Sequence, residues 1–237
     1  MKKYVNLFVF VFMIGACLSQ GRAQTKSAVS YKNPVVDIAM PDPTVIKAAD
    51  GYFYVYATES TRNVPIMKSK DLVEWTYCNT AFTNKTRPRF EPKAGIWAPD
   101  INYINGKYVL YYAMSVWGGE QTCGIGVATA NSPQGPFTDH GKMFRSNEIG
   151  VQNSIDPSLL QYEGRNYLVW GSFRGIYVIE LTADGLSIMP GAKKKRIAGT
   201  AFEAVYIHKY GDYYYMFASI GSCCQGVKST YKVVVGR

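Results

Sequence analysis

Four acidic residues stand at comparable places along the chain: Asp42 in Pro-Asp-Pro-Thr, Asp100 in Ala-Pro-Asp-Ile, Asp156 in Ile-Asp-Pro-Ser and Glu203 in Phe-Glu-Ala-Val. A single Asp-Pro is ordinarily a turn in which the carboxylate caps its own backbone. Recurrence at the head of successive segments is another matter, because a ring of unpaired carboxylates repels itself and is costly without a use. With only 2 histidines in the chain, the reaction such a group suits is hydrolysis of a glycosidic bond. One ionised carboxylate activates water and one protonated carboxyl donates to the leaving oxygen. A third carboxylate nearby keeps the donor protonated by like-charge repulsion. The chain has no phosphate-cradling glycine loop, no Gly-x-Ser-x-Gly elbow and no His-Glu-x-x-His signature. Cys223 and Cys224 are adjacent and cannot supply zinc-site spacing, and only His140 and His208 could join them. The chemistry therefore requires no cofactor and no Cys/His metal centre.

The elements that must position these acids are legible as repeats. Gly51, Gly106, Gly164 and Gly211 each begin an aromatic-rich run: Tyr52 to Tyr56, Tyr108 to Tyr112, Tyr167 to Trp170 and Tyr213 to Phe217. Short strands recurring at intervals of about 50 residues are the pattern of a β-propeller, one four-stranded blade per repeat. An acidic residue precedes each glycine at the start of a short strand. In a propeller the first strand of every blade lines the axis, so three or four carboxylates are expected to meet there. The flanking Pro41, Pro43, Pro99 and Pro157 suit a strand's beginning rather than its hydrogen-bonded middle. Asp100 stands closer to its glycine than the others and reads as a structural member; Asp42, Asp156 and Glu203 form the catalytic group. Trp97 and Trp117, beside repeat-linked turns, offer flat faces on which sugar rings stack, or else pack between blades.

Composition agrees with one all-β domain. Of 237 residues, 47% are hydrophobic and 18% charged, which excludes a disordered chain, and 19 Tyr with 22 Gly favour strands and tight turns over helices. The formal charge of +9 includes Lys2, Lys3 and Arg22, and apart from Lys193–Arg196 the cations are scattered. A nucleic-acid reader clusters them on one element, so no nucleic-acid partner is expected, and the Lys193–Arg196 run reads as a solvated strand or loop. Lys2 and Lys3 followed by the apolar stretch Val5–Ala16 and then small residues have the order of a secretory signal, too short for a good membrane span. The expectation is a leader over 1–23, cleaved after Ala23 or lipidated at Cys17, and a propeller over 24–237 that is periplasmic or secreted, and monomeric.

Taken together, the motifs at 41–44, Trp97-Ala98-Pro99-Asp100, Ile155-Asp156-Pro157-Ser158 and Phe202-Glu203-Ala204 resemble the blade heads of glycoside hydrolase family 43. The resemblance implies a five-bladed propeller that hydrolyses arabinose- or xylose-containing polysaccharides with inversion. The run Ser219-Ile220-Gly221-Ser222-Cys223-Cys224-Gln225-Gly226, followed by Ser229-Thr230-Tyr231, is similar to the endo-acting arabinanases of that family. By position it implies Asp42 as general base, Glu203 as general acid and Asp156 as the carboxylate that tunes and orients the acid. It also implies substrate contacts at Asn153 and Ser172 and aromatic walls at Trp97 and Trp117.

Two departures qualify the expectation. The sequence accounts for about four blades, and nothing in it matches the last-blade histidine that, in the family, accompanies a structural calcium ion. A chain holding all three acids but of low stability or activity is the expectation, with closure by four blades as the structural alternative. Exo-acting arabinofuranosidases or xylosidases share the acids, and a non-catalytic glycan- or protein-binding propeller is the reading from another class.

Overall fold

Each of the four repeat glycines turns a hairpin, and all four lie at positive φ. The computed structural model describes residues 30–237; the leader and Cys17 lie outside the described residues. Blade 1 contains β1 (Thr44–Lys47), β2 (Phe53–Tyr56), β3 (Pro65–Ser69) and β4 (Thr76–Thr80). Blade 2 contains β5 (Gly95–Ile104), β6 (Lys107–Ser115), β7 (Gly124–Ala130) and β8 (Thr138–Arg145). Blade 3 contains β9 (Ser158–Tyr162), β10 (Arg165–Trp170), β11 (Ile176–Glu180) and β12 (Lys195–Ala198). Blade 4 contains β13 (Glu203–Tyr210), β14 (Tyr213–Ile220) and β15 (Lys232–Gly236). Every sheet is an antiparallel meander in chain order. Between β5 and β6, Ile104 faces Lys107, so Asn105 (φ 48°) and Gly106 (φ 82°) make a two-residue loop. Both residues need φ > 0 in the tight turn whose twist matches the flanking strands.

The aromatic runs are the second strands of the blades, and their period-2 alternation explains why they are apolar on both faces. On β6, Leu110, Tyr112 and Met114 point into a core shared with Tyr54, Tyr56, Ile66 and Phe82 of blade 1 and its following loop. The intervening Val109 and Tyr111 point the other way, into a core with Leu168 and Trp170 of blade 3. A third core joins Val169 and Ile176 to Val205 and Ala218 of blade 4. Successive side chains leave a strand on opposite faces, so a strand between two blades must be apolar throughout. The inner strands pack in the order β1, β5, β9, β13. Among the described residues no packing of that extent returns from β13 to β1, and Tyr206, Phe217, Val233 and Val235 are exposed on the face of blade 4 turned away from blade 3.

The head of each blade has a common backbone form, and it revises the register of the acids. Asp42 (φ 50°), Ala98 (φ 40°), Asp156 (φ 57°) and Ala204 (φ 51°) all adopt the left-handed conformation, and three of the four precede proline. Ala98, not Asp100, is therefore the blade-2 counterpart of Asp42 and Asp156, and in blade 4 that place is held by Ala204, one residue after Glu203. Asp100 lies two residues further along the inner strand, level with Thr44 and Ser158. There its carboxylate accepts hydrogen bonds from the Asn102 side chain (2.7 Å), the Leu159 N–H (2.8 Å) and, at 3.4 Å, the Thr44 hydroxyl. The Ser158 hydroxyl continues the series to the Val205 carbonyl at 2.6 Å. These bonds form a collar joining the inner strands of all four blades.

Burial pushes the Asp100 pKa up to about 6, against the pull of its three donors. An unfolded aspartate ionises near 3.8, so between these values the folded chain binds the extra proton. The stabilising contribution is complete below about pH 4 and declines as the pH rises to about 6. Urea unfolding should therefore show wild type losing roughly 2–2.5 kcal/mol relative to Asp100→Asn from pH 4 to pH 7. A pH-independent difference would refute the assignment. Asp100→Ala, which strands the Leu159 N–H and the Asn102 amide, should cost about 2–4 kcal/mol at neutral pH.

Candidate active site

The left-handed turns at the blade heads aim the acidic side chains inward at the point where each chain segment enters its inner strand. Such conformations are costly for residues other than glycine and persist only where surrounding contacts enforce them. For Asp42 the enforcing contact is Thr58, just after β2, whose hydroxyl donates to Asp42 Oδ2 at 2.5 Å and accepts the Ala98 N–H at 2.7 Å. Asp42 is thereby held between blades 1 and 2, with its carboxylate exposed.

Asp156 and Glu203 meet across the junction of blades 3 and 4. The Ala204 N–H donates to Asp156 Oδ2 at 3.2 Å. Glu203 is buried, and its Oε2 accepts the Ser172 hydroxyl at 2.6 Å. Ser172 is in turn held by the Asn153 side-chain amide, which donates to its Oγ at 3.0 Å and to its carbonyl at 3.1 Å. The chain reaches Ser172 through Gly171, where a Cβ would lie 2.2 Å from the Gly175 carbonyl oxygen; no side chain fits that approach. Burial, then the nearby Glu203 and Asp42 carboxylates, push the Asp156 pKa well above the usual carboxylate range.

A cavity of about 590 Å³ lies along the axis, with Asp42, Asp100, Asp156, Tyr206, Ser219 and Tyr231 on its wall. Glu203 adjoins it through Asp156 and Ala204 rather than forming the wall itself. Trp97 and Trp117 contact one another, with ring centroids 5.5 Å apart and planes tilted by 52°. Trp97 is partly buried against Ala113, Cys123 and Ile155, whereas Trp117 is 78% exposed. One ring thus packs while the other is presented to solvent, and Ala98 connects the pair to Thr58 and Asp42.

Two further neighbours of the acids reach the site only through tertiary contacts. Thr58 carries no motif, and only the packing of blade 1 on blade 2 gives it its two partners. Tyr231 lies in the Ser-Thr-Tyr segment, whose likeness to the family says nothing of where the phenol lies. The loop after β14 folds back through the Thr230 N–H to Ser222 carbonyl bond (3.0 Å), and it carries a disulfide between the adjacent Cys223 and Cys224. Tyr231 consequently returns to the cavity beside Ser219, Glu203 and Asp156. Burial and the two carboxylates push its phenol pKa up.

The calcium ion implied by the resemblance finds no side-chain cage here. Among the described residues no group of three or more His, Cys, Asp and Glu side chains is arranged to hold a metal ion, and the Asp100 carboxylate is already engaged by three protein donors. The exposed Lys193–Arg196 run leads into β12, as a solvated segment should. No helix among the described residues is long and apolar enough to cross a membrane.

Comparison with known proteins gives this geometry a lineage. Over 210 residues the chain is 37% identical to the extracellular endo-α-(1→5)-L-arabinanase 1 of Bacillus subtilis, covering 83% of this chain and 64% of that protein. It is 34% identical over 225 residues to an extracellular exo-α-(1→5)-L-arabinofuranosidase of Cellvibrio japonicus, covering 83% and 63%. The chain thus spans less than two thirds of the length of these curated relatives. The structure of Cellvibrio cellulosa α-L-arabinanase complexed with arabinohexaose superposes with a TM-score of 0.76 at 30% identity, covering 84% of this chain and 70% of that one. The sequence profile described as glycosyl hydrolases family 43 matches residues 31–237, the whole of the four-bladed arrangement, and the chain belongs to that family.

Proposed function

We propose that this chain is the propeller of an exported hydrolase that cuts internal α-1,5-L-arabinofuranosidic bonds of arabinan with inversion. The observation that carries the reading is the convergence of Asp42, Asp156 and Glu203, from three different blades, on one axial site with a solvent-facing indole beside it. Asp42, exposed and oriented by Thr58, is the base: it takes a proton from water as the water oxygen attacks the anomeric carbon. Glu203, positioned by Ser172 and Asn153, gives its proton to the departing sugar oxygen. Attack on the face opposite the leaving group inverts the anomeric centre. Asp156 is the tuning carboxylate. Burial and the neighbouring Glu203 and Asp42 carboxylates hold its pKa well above the usual range, so Asp156 keeps a proton within the group. Trp97 and Trp117 supply the sugar-stacking wall. The leader pattern at 1–23 and relatives named extracellular support export.

Replacement of Glu203 by Gln should lower hydrolysis of debranched arabinan by about 10²–10⁴-fold while leaving binding of arabino-oligosaccharides measurable by calorimetry; unchanged turnover sinks the assignment. Asp156→Asn separates tuner from donor. Removing the carboxyl whose pKa the site raises should move the alkaline limb of the rate profile while leaving part of the rate. Loss as complete as in Glu203→Gln, with no moved limb, would make Asp156 the donor instead.

The similarity to an exo-acting relative supports a second reading, in which the same acids release single arabinose units. The product profile decides. Short oligomers early in the reaction on linear arabinan are expected, and arabinose alone from the first time point would assign exo action.

A further inference from the structure

A second cavity, of about 320 Å³, lies under the loop that connects blade 1 to blade 2, and its lining is strongly cationic. Arg62, Arg87, Arg89 and Lys93 contribute four positive charges against Glu91 alone. The pairings leave three of them uncompensated. Arg87 is buried and grips both oxygens of Glu59, while also donating to the Ala94 carbonyl at 2.8 Å. Glu91 is taken by Arg145 from outside the cavity. Arg62 and Arg89 donate only to the neutral Asn84, through its side-chain oxygen (2.9 Å) and its carbonyl (3.0 Å). Lys93 has no hydrogen-bond or ion-pair partner among the described residues, and none of the three has a carboxylate within salt-bridge reach.

The loop is pre-organised to keep these charges together. Pro88 and Pro92 restrict it, and the Arg87–Glu59 pair fastens its middle to blade 1. Cations held in one concavity without counter-charges favour an anion, and planar guanidinium groups match a carboxylate. The cavity also adjoins the proposed substrate wall. Ala94 on its lining is followed by Gly95, over which the Trp97 indole lies so closely that a Cβ would fall 2.4 Å from Nε1. On the other side, Glu59 directly follows Thr58, the partner of Asp42, and accepts the Ile96 N–H at 2.9 Å.

We propose that this cavity is a subsite for a carboxylated sugar, a uronic acid carried by the same polysaccharide whose neutral arabinose chain lies along Trp97 and Trp117. The assignment rests on the hydrolase reading for its context, but not for its test. Trigalacturonate is titrated calorimetrically into the full chain at low ionic strength, with arabinotriose and inorganic sulfate as comparison ligands. Millimolar binding of trigalacturonate is expected, weaker by at least about tenfold in the Arg62→Gln/Arg89→Gln/Lys93→Gln variant and weakened by added salt. The variant's melting temperature should match wild type, since all three side chains are exposed. Absence of trigalacturonate binding, equal binding by the variant, or sulfate binding as tightly as the uronide each overturns the proposal. Hydrolysis of debranched arabinan by wild type is measured in parallel. Binding of the uronide without any hydrolysis would uphold the cavity and defeat the hydrolase reading instead.

Discussion

The architecture depends on one buried carboxyl. Asp100 sits at the axis with little solvent, and its cost is offset because blade 1, its own blade and blade 3 each send it a donor. Burying a carboxylate without such partners is expensive, so the inner strands are held at the spacing that satisfies it. Ser158 extends the same logic to blade 4 through the Val205 carbonyl. Hydrophobic cores between blades supply most of the contact area, but they are tolerant of sliding; directional bonds at the axis specify where each inner strand stops.

That registration puts the other three acids in a different situation from Asp100. Asp42 and Asp156 stand earlier, at the left-handed blade heads before the strand begins, and Glu203 stands beside one, at the first residue of β13. Asp42 is compensated by a single hydroxyl and Glu203 by another. Asp156, backed by one N–H and facing two carboxylates, is the least compensated and the most strongly shifted. Strained backbone and incompletely satisfied charge at one place are features that stability alone would remove, and they cluster at sites where chemistry is done. The cationic loop beside Trp97 is a second local conflict of this kind, with the opposite sign.

The repeat, the strands and their aromatic content were legible from the amino-acid sequence, because they follow from local rules. A glycine at positive φ sets each hairpin, and alternation with period 2 sets which residues are buried. The acids at Asp42, Asp156 and Glu203, and the odd position of Asp100, could be read from their spacing to those glycines. The exact register could not. Spacing counts residues, whereas the place of Ala98 and Ala204 opposite Asp42 and Asp156 is a backbone conformation that alanine does not advertise.

What the tertiary structure alone decided is everything that requires two blades. Thr58 becomes the partner of Asp42 only when blade 1 packs on blade 2, and Tyr231 reaches the acids only because the loop after β14 doubles back. The division between Trp97, packed, and Trp117, exposed, likewise depends on neighbours remote in sequence. So do the fates of equally charged side chains, Arg87 neutralised by Glu59 while Arg62, Arg89 and Lys93 are left unmatched. Local sequence determines how a strand or turn forms, since those interactions span a few residues; compensation of charge is a sum over the surroundings, which exists only once the chain has folded.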